Sequence, residues 1–260
     1  MVLVICLCFT VLALVGVPLA FSFGLATMAA LLWSGMSFNI LAEKMIFSVN
    51  SFPLMAIPFF MLAGELMVAG GIMTRLVALT NSMVGNIRGG LAQGTVLSGV
   101  GLATVSGTAV ADAAALASAL GRPLNKAYGR PFASAVIAAS GNLGPIIPPS
   151  TPMIIYATIA GNLVSITDLF IAGVIPGLMI ASMMLLVIYL IARFRDYERT
   201  GNPFSFRLFL TRLREAFLVI LMPVIVIGGI VVGAFTPTEG GAIAVAYSLL
   251  AGFFITRQLT

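Results

Sequence analysis

Long stretches without any charged residue constrain this chain more than any other feature. Residues 1–42 and 131–167 contain no Asp, Glu, Lys or Arg, and over all 260 residues 8% are charged and 60% are hydrophobic. Soluble domains carry about 25% charged residues, and a run of about 20 apolar residues crosses a bilayer as a helix. The sequence therefore predicts an all-α polytopic membrane protein.

Composition also excludes several classes of enzyme. The sequence has no histidine, so neither a Ser–His pair nor an HExxH zinc site can form, and it has no GxxxxGK[ST] phosphate loop. Cys6 and Cys8 point to different faces of a helix and are interpreted as apolar filler. An intramembrane aspartyl protease needs two facing aspartates. Asp112 and Asp168 keep that alternative open, although Asp168 lies at a predicted loop edge. We expect no catalytic residue and no cofactor.

Basic residues predict the orientation in the membrane. Lys and Arg concentrate in cytoplasmic loops, so the net charge of +5 indicates orientation rather than nucleic-acid binding. Apart from Lys44 and Arg257, the basic residues fall into three regions: Arg75 and Arg88; a loop with Arg122, Lys126 and Arg130; and a loop at 193–215 with six arginines. Placing all three in the cytoplasm puts the N-terminus outside and the C-terminus of this chain in the cytoplasm.

The segment between the first two basic regions is too short for two crossings. Residues 89–121 number 33, whereas two crossings need about 40, and one crossing would put the basic regions on opposite sides. A re-entrant helical hairpin that enters and leaves from the cytoplasm satisfies both constraints. Its middle falls on the small, polar residues 104–108. Irregular backbone at that depth persists only when it is buried in protein or faces an aqueous cavity, so the tip is predicted to be a site.

A second irregular element lies at 131–160. Residues 140–152 include four prolines and two glycines within 13 positions, which one continuous helix cannot accommodate. We interpret 131–160 as a discontinuous helix whose halves meet in an unwound segment at the membrane midplane. The alternative is an external loop between two spans. It is disfavoured because neither flank alone is long enough to cross.

The other apolar segments indicate a repeat. Two spans within 2–42 separate near Pro18, a crossing covers 53–72, and an amphipathic cytoplasmic arm covers 73–88. Residues 216–256 again form two spans separated at a proline. Inverted repeats with broken helices are the architecture of secondary transporters. The sequence therefore predicts one full repeat plus the first two helices of a second, as in a truncated or split protein.

The hairpin tip and the unwound segment together form the strongest candidate site. The C-terminal ends of half-helices present unpaired carbonyls that coordinate Na⁺, and hydroxyls and amides complete an oxygen shell. The predicted Na⁺ ligands are Ser106, Gly107, Thr108, Ser140, Gly141, Asn142 and Gly144. The alternative is that these small residues serve only close helix packing.

Three acidic residues lie in or near the predicted spans. Asp112 follows the tip; a charge within the membrane is a functional candidate by default, and the alternative is that it stabilises the N-terminus of the returning half-helix. Glu65 is interpreted as a structural partner of Arg75 or as a residue at the interface, and Glu239 as a helix cap. The residues expected to face substrate or orient the tip are Asp112, Pro145, Pro148, Pro149, Ser150 and Thr151.

Four motifs, in the same order, resemble those of the large membrane subunit of TRAP transporters (tripartite ATP-independent periplasmic transporters, DctM-like). They are FPLMAIPFFMLAGE at 52–65, SGTAVAD at 106–112, GPIIPPS at 144–150 and FTPTE at 235–239. The resemblance covers the whole chain but only the N-terminal part, somewhat more than half, of a typical family member.

The resemblance implies an elevator-type, Na⁺-driven permease for organic acids such as sialic acid or C4-dicarboxylates, in the bacterial inner membrane. Its partners would be a small four-helix TRAP membrane subunit, a periplasmic substrate-binding protein and the missing C-terminal half of the permease, within the lipid bilayer. Family members bind Na⁺ at the first hairpin and broken helix, which match 106–108 and 140–144 here. The chain departs at Gly121, Arg122 and Pro123, where the family often has an apolar turn, and it lacks the second hairpin and second broken helix.

On this resemblance the chain has four parts. They are scaffold helices and arm at 1–88; half of a transport domain at 89–165, with the hairpin at 89–121 and the broken helix at 131–160; a transmembrane helix and basic loop at 166–215; and the start of a second repeat at 216–260. Two alternatives remain open for function. One is a Na⁺/anion carrier of related architecture that needs no binding protein, and the other is a non-functional truncated fragment.

Overall fold

The structure, a computed structural model, describes residues 1–84, 86–197 and 205–258, with the side chains of Ile72 and Asn162 left undescribed. Every regular element in these ranges is helical, which confirms the predicted helical class. The chain divides into two compact units, Met1–Ser51 and Phe52–Thr260.

The first unit consists of three helices, α1 (Val2–Leu14), α2 (Leu19–Trp33) and α3 (Asn39–Val49). The predicted break near Pro18 is present, because Gly16 takes a φ of +90° and Pro18 caps α2. Helices α1 and α2 pack together through Phe9 and Phe23, whose rings stack 4.2 Å apart. With 13 and 15 residues, both helices are shorter than the predicted spans and than the roughly 20 residues of a full crossing.

The second unit contains nine α-helices within its described residues. They are α4 (Ala56–Ala69), α5 (Ile72–Val84), α6 (Gly90–Ser106), α7 (Ala109–Tyr128), α8 (Arg130–Gly141), α9 (Thr151–Ala160), α10 (Ile166–Phe194), α11 (Phe206–Val231) and α12 (Pro237–Leu250). A 3₁₀ turn at Phe52–Met55 precedes α4, another at Gly161–Leu163 follows α9, and a π-helical turn at Ala251–Thr256 extends α12.

Four helical segments among the described residues are long and apolar enough to cross a membrane. They are Phe52–Ala69, Ile166–Phe194, Phe206–Val231 and Pro237–Thr256. The protein is therefore membrane-embedded. The crossing predicted at 53–72, the helix predicted at 166–192 and the turn predicted near 235–238 all correspond to elements of the structure.

The predicted basic loop at 122–130 differs from the structure. Helix α7 continues to Tyr128, so Arg122 and Lys126 are helical and the hairpin arm extends beyond residue 121. Leu120, Leu124 and Tyr128 are buried at a spacing of four residues. This buried apolar stripe carries the helix past Pro123, because a packed face outweighs local propensity.

The predicted basic loop at 193–215 is also partly helical. Helix α11 begins at Phe206, so Arg207, Arg212 and Arg214 lie on that helix. Phe209 and Leu213 pack on the core and extend α11 ten residues before the predicted span start. Arg193 lies in the last turn of α10, and residues 198–204, with Glu198 and Arg199, lie outside the described residues.

The predicted arm at 73–88 forms α5, which is integrated into the second unit. Met73, Leu76 and Leu79 are buried in the common core, and the Thr80 and Ser98 hydroxyls share a buried hydrogen bond of 2.8 Å between α5 and α6. The amphipathic pattern is therefore satisfied by packing against neighbouring helices.

Candidate functional site

The hairpin tip lies directly against the unwound segment of the broken helix. Gly107 ends α6 with φ +63°, a conformation that favours glycine. A Cβ at Gly107 would collide with the carbonyl oxygen of Pro149 and lie 3.4 Å from Cα of Ser150. The Thr151 N–H donates to the Gly107 carbonyl at 3.3 Å. The two predicted breaks, some 40 residues apart in sequence, thus meet in one place.

Glycines let the end of α8 approach the start of α7. A Cβ on Gly141 would lie 2.8 Å from the Ala113 nitrogen, and one on Gly144 would lie 2.5 Å from Oδ2 of Asp112 and 3.0 Å from the Thr108 carbonyl oxygen. Both glycines are buried. The structure therefore brings the first half of the unwound segment onto the tip.

Helix α10 supports the unwound segment from another side. A Cβ on Gly173 would lie 2.8 Å from the Ile146 carbonyl oxygen, and one on Gly177 would lie 2.6 Å from Cγ1 of Ile147. Within the segment, the Ser150 hydroxyl donates to the Pro145 carbonyl at 2.5 Å, and the Pro148–Pro149 bond is cis. The non-helical backbone of residues 147–150 is therefore buried within the protein.

Asp112 ties the two arms of the tip together. It lies in the first turn of α7 and is 1% exposed. Its Oδ1 accepts a hydrogen bond from the Ser106 hydroxyl at 2.5 Å, across the turn at Gly107. The Ser106 oxygen in turn accepts from the Thr108 N–H at 3.3 Å. These bonds fit a tip-orienting role.

Three side-chain oxygens at the tip and the broken helix are buried without a hydrogen-bond partner. They are Oδ2 of Asp112, Oγ of Ser140 and Oγ1 of Thr151. Buried polar groups in native proteins are nearly always paired, and only one further buried side-chain oxygen in the described residues, the Tyr128 hydroxyl, shares this property. The unpaired oxygens remain available to a ligand.

Asn142 is placed differently from the other predicted cation ligands. Ser106, Gly107, Ser140, Gly141 and Gly144 are buried and Thr108 is half-buried, whereas Asn142 is exposed as the cap of α8. Among the residues predicted to face substrate, Pro148, Pro149 and Ser150 are buried and Pro145 and Thr151 half-buried. The sequence did not predict the exposure of Asn142, because its place within the unwound segment is the same as that of its buried neighbours.

Glu65 belongs to this region, although sequence interpretation assigned it a partner elsewhere. A cavity of about 280 Å³ lies between α4 and the hairpin; its lining includes Glu65, Gly64, Ser106, Thr108, Asp112 and Ser118. The expected pairing with Arg75 is absent from the described ion pairs, and Arg75 donates instead to the Glu215 carbonyl at 3.4 Å. The sequence feature that could have placed Glu65 here is its neighbour Gly64, because small residues allow close helix packing. A Cβ on Gly64 would lie 3.0 Å from Cα of Ser106.

The two aspartates of the protease alternative are not brought together. Asp168 is exposed in the first turn of α10, where its N–H donates to the capping Ser165 hydroxyl at 3.4 Å. It is not part of the lining of the cavity that Asp112 faces. Glu239 forms the predicted cap, since its carboxylate accepts from the Thr236 N–H at 2.8 Å.

Residues 6–260 match the family described as the tripartite ATP-independent periplasmic transporter, DctM component. The chain belongs to this family. It is 36% identical over 254 residues to the isethionate TRAP transporter permease protein DctMQ of Oleidesulfovibrio alaskensis, which covers 97% of this chain and 40% of that protein. It is 39% identical to the C4-dicarboxylate large permease protein DctM of Pseudomonas aeruginosa, over 92% of this chain and 56% of the relative.

A third relative is the sialic acid TRAP transporter large permease protein SiaM of Vibrio cholerae, 38% identical over 94% of this chain and 57% of the relative. The chain thus spans about half the length of these curated relatives. The family assignment confirms the resemblance drawn from the four motifs, and the relatives carry the names of transporter permeases rather than enzymes.

Proposed function

We propose that this chain is part of the large permease subunit of a Na⁺-coupled secondary transporter that imports organic anions by an elevator movement. The observation that carries the proposal is the meeting of the hairpin tip with the unwound segment, where Asp112, Ser140 and Thr151 keep buried oxygens without partners. Family membership supports the same conclusion independently.

Na⁺ would bind between the tip and the end of α8. Hydroxyls of Ser106, Thr108 and Ser140 and carbonyls of the glycine positions supply the neutral oxygen ligands that Na⁺ takes at half-helix ends. Asp112, held by Ser106, would supply the compensating negative charge and fix the tip geometry. A cation here would satisfy buried oxygens whose desolvation otherwise costs about 1–3 kcal/mol each.

The substrate would bind on the opposite side of the same junction. Helices α7 and α9 both begin there, at Ala109 and Thr151, and helix N-termini attract anions. The three relatives are named for isethionate, C4-dicarboxylates and sialic acid, all anions at neutral pH. Organic anions are therefore the proposed substrate class.

In the proposed elevator movement, one part of the second unit moves relative to another, and helix α4 lies at the boundary between them. Helices α4 and α12 pack closely: a Cβ on Gly241 would lie 2.9 Å from Cβ of Phe59, and the Thr238 hydroxyl donates to the Phe52 carbonyl at 3.1 Å. We propose that this pair belongs to the scaffold, joining the first repeat to the opening of the second, and that hairpin and broken helix move as one body.

The partners of the proposed transporter are a small TRAP membrane subunit, a periplasmic substrate-binding protein and the remainder of the permease. The proposed location of the transporter is the bacterial inner membrane, with the N-terminus of this chain outside. A Na⁺/anion carrier that needs no binding protein is the alternative, and the family assignment favours the tripartite arrangement.

Uptake by the complete transporter tests the proposal. This chain, joined to the remainder of its permease and reconstituted in proteoliposomes with its small subunit and binding protein, would receive sialic acid, succinate and isethionate in Na⁺ or K⁺ medium. We expect Na⁺-dependent uptake of at least one anion. Ser140→Ala should raise the Na⁺ concentration for half-maximal uptake by roughly tenfold, since one oxygen ligand is worth of the order of 1–2 kcal/mol. Thr151→Val, on the substrate side of the junction, should instead raise the anion concentration for half-maximal uptake.

Matched controls lie on the same two helices. Ser134→Ala removes an exposed hydroxyl of α8 that donates to the Arg130 carbonyl, and Thr158→Val removes a hydroxyl of α9 that donates to the Ile154 carbonyl. Ser134→Ala should leave the Na⁺ dependence unchanged, and Thr158→Val should leave the anion dependence unchanged. Equal uptake in K⁺ would contradict Na⁺ coupling, and full uptake without the binding protein would favour the alternative carrier.

A further inference from the structure

A polar pocket of about 400 Å³ lies at the end of α10, away from the proposed transport site. Its lining residues are Asn86, Ile87, Arg88, Tyr189 and Arg193. Two guanidinium groups, an amide and a phenol converge there from two distant parts of the chain, the segment between α5 and α6 and the last turns of α10.

The backbone on one side of the pocket is fixed to α10. Gly89 has a φ of +70° and packs so closely on the helix that a Cβ would lie 2.7 Å from Cβ of Ala192. The Gln93 side-chain amide donates to the Arg88 carbonyl at 3.3 Å. Arg88 and Arg193 are therefore held on opposite walls of a preformed pocket.

The charge of the pocket is unbalanced. Arg88 forms an ion pair of 2.7 Å with Asp196, and both side chains are solvent-exposed, at 42% and 81%. Arg193 takes part in no ion pair among the described residues. Among the described residues, two guanidinium groups line the pocket and one carboxylate contacts one of them, which leaves a net positive site that can take an anion.

An apolar strip runs from the pocket along the same face of α10. Ile175, Met179 and Leu186 precede Tyr189 and Arg193 at helical spacing, and their side chains are 68%, 65% and 51% exposed. Helix α10 is one of the four segments that are long and apolar enough to cross a membrane. The pocket therefore lies where the hydrocarbon-facing surface of a span ends, the depth at which Tyr and Arg meet lipid headgroups.

We propose that this pocket binds the phosphate headgroup of an anionic phospholipid, with the acyl chains lying along the strip formed by Ile175, Met179 and Leu186. Guanidinium groups bind phosphate oxygens in bidentate geometry, and basic pockets between helices on the cytoplasmic side are sites of this kind. Bound lipid would join the start of the hairpin arm α6 to α10. The inference does not depend on Na⁺ coupling or on the transported substrate.

Native mass spectrometry of the permease, in which this chain is joined to the remainder of the protein, tests the site, with phosphatidylglycerol and phosphatidylcholine compared in mixed micelles. The wild-type chain should retain phosphatidylglycerol in preference to phosphatidylcholine. Arg88→Gln and Arg193→Gln should each weaken retention roughly fivefold, as expected for loss of about one basic contact. Asp196→Asn should strengthen retention roughly twofold or more, because Asp196 competes with the phosphate for Arg88.

The matched control is Arg195→Gln, which removes a charge from the same end of α10. Arg195 does not line the pocket and donates to the Tyr197 hydroxyl at 3.3 Å. Retention should be unchanged in this variant, with helicity checked by circular dichroism in all four. Equal losses in Arg195→Gln and Arg193→Gln would mean diffuse attraction and overturn the site.

Two further outcomes would also overturn the proposal. Weaker retention of phosphatidylglycerol in Asp196→Asn would mean that the Arg88–Asp196 ion pair stabilises the fold and does not compete with the phosphate. Displacement of phosphatidylglycerol by millimolar inorganic phosphate would assign the pocket to a free phosphate ion rather than to a lipid.

Discussion

At the scale of single residues, the junction of tip and unwound segment depends on positions where no Cβ fits. Gly99 faces the Ser140 carbonyl, Gly141 faces Ala113, and Gly144 faces Asp112, each with less than 3 Å for an added carbon. Backbone atoms of Ser140 and Ala113 lie this close to Gly99 and Gly141, and the atom nearest to Gly144 is a carboxylate oxygen of Asp112, a buried side chain that the Ser106 hydroxyl holds in place. The junction should therefore tolerate substitution poorly.

Gly144→Ala should destabilise the protein. The added carbon meets Oδ2 of Asp112 and the Thr108 backbone, and overpacking of this kind costs about 1–3 kcal/mol. SDS titration of the purified protein in mixed micelles would measure the loss. Gly228→Ala is the control: no atom lies within 4 Å of a Cβ there, so alanine should be neutral or stabilise α11 by up to about 1 kcal/mol. Equal stability of both variants would contradict the packing described here.

At the scale of helices, capping residues close together in sequence determine where a helix begins when tertiary packing does not favour another boundary. Helix α12 begins with a capping box, in which the Thr236 hydroxyl accepts from the Glu239 N–H at 3.3 Å and the Glu239 carboxylate accepts from the Thr236 N–H at 2.8 Å. Pro237 follows at the first helical position. This start was readable from the sequence, because all of its partners lie within three residues.

Thr236→Ala should weaken the start of α12 by about 1 kcal/mol, the usual value of an N-cap hydroxyl. The same SDS titration would report it as an earlier midpoint. Thr211→Ala removes an exposed hydroxyl within α11 that donates to the Arg207 carbonyl, and no capping bond is lost there. We expect this control to shift the midpoint by less than half as much; an equal shift would argue against the capping box.

Helix α7 illustrates the opposite case. Gly121, Arg122 and Pro123 together indicate a turn, yet the helix continues to Tyr128. Leu120, Leu124 and Tyr128 are all buried, and the packed stripe extends over more residues than the local break signal. Tertiary contacts therefore decided where this element ends, and the sequence signal alone predicted the wrong boundary.

At the scale of the whole molecule, the orientation in the membrane remains a prediction that labelling can test. With Cys6 and Cys8 replaced by serine, Leu163→Cys would report the turn after α9, where Leu163 is 89% exposed, and Lys126→Cys would report the exposed last turns of α7. A membrane-impermeant maleimide should label Leu163→Cys in intact cells with a permeabilised outer membrane. It should label Lys126→Cys only after lysis, because basic residues stay cytoplasmic. The reverse pattern would invert the topology.

The sequence by itself determined the helical membrane class, a hairpin tip within 104–108, a helix break within 140–152, and the family. These follow from charge-free runs, short motifs, and glycines and prolines whose effect extends over a few residues. Only the tertiary structure decided that Glu65 lines a cavity with Asp112, that Asn142 is exposed, and that Ser140 and Thr151 have buried oxygens without partners. Such outcomes depend on distances between residues far apart in the chain, which no local pattern encodes.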